Sequence, residues 1–208
     1  MEGENWLKDV TIDDWIEKIS TEIPKDTWVI HSQAITSIFR KQNQYKKKEM
    51  YEQFVYKKMD RYVKKIKKKK PIITKIITPI LRKKHHTTVI IEIIDDCATI
   101  MYHDSLFHKK KLPDDLEIIY EALLHQFGID MKNVQVFALT ELNMHSIPYP
   151  KQLDGNNCGI FTIACISRYI FGIKSIEHAY KNKENKFSPV LMRQYLKEML
   201  KKNKNKVT

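Results

Sequence analysis

No run in this chain approaches the ~20 consecutive apolar residues that a bilayer-spanning helix needs, so membrane insertion is not expected. The opening Met1-Glu2-Gly3-Glu4-Asn5-Trp6 has neither the basic start nor the apolar centre of a secretion signal. A soluble, intracellular protein of the cytoplasm or nucleus is the expectation. Cysteine is sparse: Cys97, Cys158 and Cys165 cannot all pair, and none stands at Cys-x-x-Cys spacing. That excludes a disulfide framework and a thiolate-rich zinc site, and a reducing compartment leaves a lone thiol free for chemistry. Internal repeats are absent, as is any clear linker. One domain over residues 1–208 is therefore expected, with a helical part about 1–70, a sheet and core about 71–173 and a last helix about 189–201.

What is present is apolar material and lysine. A hydrophobic share of 42% in 208 residues is enough to bury a sizeable core. Thirty-seven Lys+Arg against 25 Asp+Glu give a formal net charge of +12, which favours acidic partners. Lysine dominates from Tyr45 to Lys70, yet Tyr51, Phe54, Val55, Met59, Tyr62, Val63 and Ile66 recur near a 3.6 period, predicting an amphipathic helix. Its polar face reads either as solvated lysines or as a site for nucleic acid.

Helical spacing also marks residues 6–20, with Asp9 or Thr11 available as cap, and Pro113 to Phe127, with Pro113 and acidic residues in its first turn. Thr27 to Ile30, Ile72 to Leu81, Thr87 to Ile94, Ala98 to Tyr102 and Val134 to Leu139 read as strands, the third and fourth forming a hairpin around Asp95-Asp96. Ile147 to Asn157 holds two prolines and a glycine and reads as a loop. Cys158 to Ile173 is almost continuously apolar and too long for a strand, which predicts a buried helix with Cys158 at its N-terminus.

A thiol attacks as its thiolate, and the unsatisfied N–H groups and positive dipole end of a helix N-terminus favour that anion. Gln152, six residues before Cys158, carries a neutral amide able to donate to a developing oxyanion. A base is also needed. His85-His86 stands at the mouth of one hairpin strand and Asp104 at the end of its partner, so folding the hairpin brings imidazole and carboxylate together. His31, His103, His108, His125, His145 and His178 show no ligand spacing, and Cys97 and Cys165 read as passive thiols.

Trp6-Leu7-Lys8-Asp9, the strand opened by His85, Tyr102-His103-Asp104-Ser105-Leu106 and Gln152-Leu153-Asp154-Gly155-Asn156-Asn157-Cys158-Gly159 together resemble the ubiquitin-like-protein proteases, the SUMO- and NEDD8-specific cysteine proteases that share a clan with adenovirus protease. The resemblance spans nearly the whole chain. It implies an α+β, papain-like or adenain-like fold, a central mixed sheet flanked by helices with the catalytic cysteine at a buried helix N-terminus. It also implies His85 as base, Asp104 as its orienter, Gln152 in the oxyanion hole and Cys158 as nucleophile, with no metal or cofactor.

Members of that family carry Trp after the catalytic His. Here His86 takes that place if His85 is the base; the alternative base is His86 itself, followed by Thr87. The family tryptophans close a tunnel over a Gly-Gly tail, which makes Trp6 and His86 candidate substrate-binding residues, and Asp9 matches the aspartate that contacts the modifier. Asn157 replaces the more usual aspartate before the cysteine. The reaction implied is hydrolysis of a peptide or isopeptide bond after a C-terminal glycine of a SUMO- or NEDD8-type modifier or its conjugates, by a monomer. Two other activities fit the clan: maturation of a viral or mobile-element polyprotein, and acyl transfer. The non-enzyme alternative is a basic nucleic-acid-binding module built on residues 45–70.

Overall fold

The computed structural model describes residues 7–82, 84–106, 112–139, 152–172, 181 and 187–201; of Asp9, Leu139 and Lys201 only the backbone is described. Five strands form one mixed sheet in chain order: β1 (Thr27–Val29), β2 (Lys75–Arg82), β3 (His85–Ile94), β4 (Cys97–His103) and β5 (Val134–Leu139). The pairs β2–β3 and β3–β4 are antiparallel, while β1 and β5 join the two edges in parallel. The hairpin turns where expected, with Asp95 in the left-handed region at φ 53°, a conformation that aspartate tolerates better than most residues. Strand β3 begins two residues earlier than the β-branched pattern predicts. His85 and His86 pair with Arg82 and Leu81, because Lys84, at φ 66°, reverses the chain directly before them.

Side chains alternate across each strand, and the two sets enter different cores. Ile76, Ile80, Val89, Ile91, Ile100 and Tyr102 pack on one face beneath α2 (Ser32–Gln42), α3 (Lys48–Lys67) and α4 (Asp114–His125). Ile77 and Ile90 point the other way, to α1 (Asp9–Lys18), α5 (Cys158–Phe171) and α6 (Pro189–Lys201). Residues Cys158 to Ser167 of α5 are all buried, which accounts for its unbroken apolar run. The amphipathic helix expected in the lysine-rich segment is α3, with Tyr51, Val55, Met59 and Val63 inward and Lys57, Arg61, Lys64 and Lys68 exposed. Its basic face therefore belongs to the layer opposite α5. Among the described residues no helix is long and apolar enough to cross a membrane.

The start of α1 differs from the expected cap. Lys8 is the N-cap, without a side-chain bond, and Asp9 is the first helical residue. The carboxylate that does cap a helix is Asp13, whose Oδ1 and Oδ2 accept from the backbone N–H groups of Ser32 at 2.6 Å and Gln33 at 3.2 Å. A buried anion reaching across from α1 thus satisfies the first turn of α2 and ties the two layers together.

Candidate active site

The sheet register decides which histidine meets the carboxylate. Thr88 pairs with His103, so continuing the ladder sets Thr87 opposite Asp104. His85, two residues from Thr87, shares its face and Asp104's; His86 points to the other face. His85 Nε2 lies 2.7 Å from Asp104 Oδ1, and the backbone N–H of Leu106 donates to the same oxygen at 3.0 Å. Asp104 is buried and the His85 side chain is 22% exposed, leaving the ring one open edge. With Nε2 held by the carboxylate, Nδ1 is the nitrogen left for the thiol of Cys158, which lies close enough to act on the ring.

Burial works against a positive charge on His85, but the bonds and charges of Asp104 and Cys158 outweigh it and raise the ring from 6.5 to about 9. His85 is thus an imidazolium at neutral pH, next to the sulfur. Behind Asp104, His103 is fully enclosed, and burial pushes it down to about 4, so it remains neutral.

Cys158 opens α5 and is 1% exposed. Gly159 follows because nothing larger fits: a Cβ there would lie 2.8 Å from Leu7 Cβ and 3.3 Å from His86 Cδ2. His86, weighed above as alternative base and as substrate contact, is buried, and its Nε2 bonds the Leu7 carbonyl at 2.8 Å. It holds the entry to α1 against the first turn of α5; the bond to Asp104 belongs to His85. Trp6 lies outside the described residues, as does the side chain of Asp9.

Gln152 is buried and doubly tied to Ser105: its backbone N–H donates to the Ser105 carbonyl at 2.8 Å, and its Oε1 accepts from Ser105 Oγ at 2.8 Å. The amide nitrogen therefore faces the loop, 2.5 Å from the Asp154 carbonyl and 3.2 Å from Asp154 Oδ1. Asp154 organises the rest of the turn. Its Oδ1 accepts from the N–H groups of Asn156 at 2.8 Å and Asn157 at 2.9 Å, and its Oδ2 from Asn157 Nδ2 at 2.8 Å. Burial opposes the anion, but these donors hold its carboxyl below the usual range. From α6, Arg193 reaches the same turn, Nε donating to Asn157 Oδ1 at 2.7 Å and Nη2 to the Asn156 carbonyl at 3.0 Å.

The structure thus gathers His85, Asp104, Gln152 and Cys158 from two strand ends, a loop and a helix tip. Sequence reasoning assigned no role to the side chains of Ser105, Asp154 or Arg193. For Asp154 a signal existed, since an aspartate two and three residues before asparagines in a loop is an Asx-turn pattern; for Arg193, 35 residues beyond Cys158, there was none. Among the described residues no cluster of three or more His, Cys, Asp and Glu is arranged to hold a metal ion. A cavity of about 1510 Å³ between α2, α3 and α4 is lined by Arg82 and Lys84, close in sequence to His85, but Cys158 does not reach it.

Solved structures share this architecture. The SUMO protease Ulp1, with its catalytic cysteine oxidised to a sulfenic acid, superposes with a TM-score of 0.64 at 19% identity, over 94% of this chain and 77% of that one. The Rickettsia bellii effector protein RickCE gives 0.56 at 12% identity, over 95% of each chain. A protease of ASFV gives 0.50 at 14%, over 93% of this chain and 67% of that one. At such identities the likeness is one of fold. No curated protein sequence matches the chain. Residues 5–203, however, match the Ulp1 protease family, C-terminal catalytic domain, so the chain belongs to that family of cysteine proteases.

Proposed function

We propose that the chain cleaves the peptide or isopeptide bond after the C-terminal glycine of a SUMO- or NEDD8-type modifier, with Cys158 as nucleophile, His85 as general acid and base, and Asp104 as orienter. The observation that carries this reading is the relay Asp104–His85–Cys158, with a 2.7 Å bond at one end and the thiol at the other. The Cys158 thiolate adds to the carbonyl carbon. The oxyanion is met by the Cys158 N–H at the start of α5 and by the Gln152 amide, which turns from Asp154 to donate to it. The His85 imidazolium gives its proton to the leaving amine, and the C–N bond breaks. Water, deprotonated by the now neutral His85, adds to the thioester and releases the carboxylate and the thiolate. A net charge of +12 favours an acidic modifier face through faster, salt-sensitive association.

The test is a panel of ubiquitin, SUMO and NEDD8 carrying a vinyl methyl ester after Gly-Gly, read as a covalent adduct on the Cys158 peptide. SUMO or NEDD8 capture is expected, with none in C158A. Capture surviving in C158A would remove Cys158 from its role. A wild-type enzyme inert to all three probes yet active on glycine-containing peptides would point to polyprotein maturation instead.

A further inference from the structure

Arg193 is placed with more care than a surface arginine needs. Met192 beside it and Leu196 are fully buried against α1 and α5, so α6 cannot rotate, and the half-buried guanidinium is delivered to one turn only. That turn is the last one before the nucleophile. Asn157 is the N-cap of α5, yet its side chain makes no cap bond. It is a neutral bridge instead: Oδ1 accepts from Arg193 Nε and Nδ2 donates to Asp154 Oδ2. Burial works against the guanidinium's charge, and Asp154 and Cys158 both support it.

We propose that Arg193 and Asn157 form a positioning pair that holds the pre-cysteine turn in shape and keeps a positive field on the Cys158 sulfur. The proposal rests on the reading of Cys158 as nucleophile. An arginine is charged at every working pH, so its field does not depend on His85 and persists when His85 gives up its proton. Neutrality at position 157 is the second half of the device. A carboxylate there would lose the donor that Asp154 Oδ2 now accepts, oppose that carboxylate, and cancel the arginine beside the helix tip. Among the described residues, the ionisable groups that face this corner are His85 and Asp104 from the hairpin, with neutral His103 and Arg168 behind them, Asp154 from the turn and Arg193 from α6.

The experiment follows the pH dependence of iodoacetamide alkylation of the full chain, read by peptide mass spectrometry at Cys158, with exposed Cys97 as a reference thiol. R193Q and N157D are each expected to move half-maximal alkylation of Cys158 upward by about half to one pH unit, a ~3- to 10-fold slower reaction at pH 6, while R193K stays within ~2-fold of wild type. Cys97 should not respond. Loss of shape alone would leave the midpoint where it is. Should R193Q fail to give a wild-type melting curve, N157D, which keeps the arginine, decides. Unmoved profiles in the folded variants, alongside a profile that does move in H85A, overturn the pair and leave the nucleophile standing. Alkylation of Cys158 no faster than that of Cys97 and indifferent to H85A overturns both.

Discussion

Replacing Asp104 with Asn tests the relay with the smallest change of shape. The His85 ring is raised from 6.5 to about 9 by Asp104 and Cys158 against burial. That gap corresponds to roughly 3 kcal/mol in favour of the imidazolium. Two partners share it, and the ring keeps 22% of its side-chain surface in water, so the portion owed to the carboxylate is about 1 to 2 kcal/mol. Asparagine also offers an N–H where the carboxylate accepts one, which works against the tautomer that presents Nδ1 to the sulfur. The combined expectation is a ~10²-fold fall in kcat/KM at pH 7.5.

The direction with pH is fixed by the sign of the shift. His85 is raised above its unfolded value, so the stabilisation from its charged form is complete below about 6.5 and is lost as the pH rises through about 9. The basic limb of kcat/KM should therefore fall near pH 9 in the wild type and about 1 pH unit lower in D104N. Both quantities come from initial rates on a Gly-Gly modifier substrate between pH 5 and 10, with the His85 ring followed by NMR in the same buffers. A D104N enzyme with an unmoved basic limb and an unmoved His85 titration would refute the reasoning, whatever its rate.

Three further outcomes follow from single contacts. D13A removes the buried acceptor from two N–H groups at the start of α2 and should cost about 2 kcal/mol in urea unfolding, with D13N recovering part of it. G159A drives a Cβ to 2.8 Å from Leu7 Cβ and should lower the melting temperature by about 4 to 8 °C, corresponding to about 2 kcal/mol of overpacking in a chain of this size. S105A leaves Gln152 Oε1 without its hydroxyl donor, while the backbone bond to the Ser105 carbonyl stays; kcat should drop ~5- to 10-fold at constant KM, about 1 kcal/mol, measured by steady-state kinetics.

The parts of this fold legible in sequence were those written in periodicity. The β-branched run of β3, the alternation of β4, the 3.6 spacing of Tyr51, Val55, Met59 and Val63, and the apolar run after Cys158 each survive folding because burial enforces them locally. Of the quartet, His85, Asp104 and Cys158 stand at the ends of such elements, whereas Gln152 lies in a loop and was singled out by its place six residues before Cys158. Illegible were the contacts that depend on how layers stack: Asp13 across to α2, His86 beneath Leu7, Arg193 onto Asn157. An aspartate in a first helix or an arginine in a last one has no local pattern that distinguishes it from a solvated charge. Their partners lie 19 and 36 residues away in the chain, and only the packing of α1 and α6 around α5 selects them.

The choice between His85 and His86 shows how one register fixes two tasks at once. A strand sends neighbouring side chains to opposite faces, so with Thr88 opposite His103 the two rings cannot exchange roles by rotation. His85 falls on the face of Asp104, where one edge stays open for the thiol. His86 falls on the face of α5, where Gly159 has no Cβ and the Leu7 carbonyl awaits a donor. A one-residue slip of β3 would deprive Asp104 of its imidazole and the N-terminal segment of its anchor together. Ile90 and Val89 would then change cores as well, so the burial of those two side chains in different layers is what holds the catalytic register. The reactive geometry at the mouth of the hairpin is thus secured by apolar packing several residues away from it.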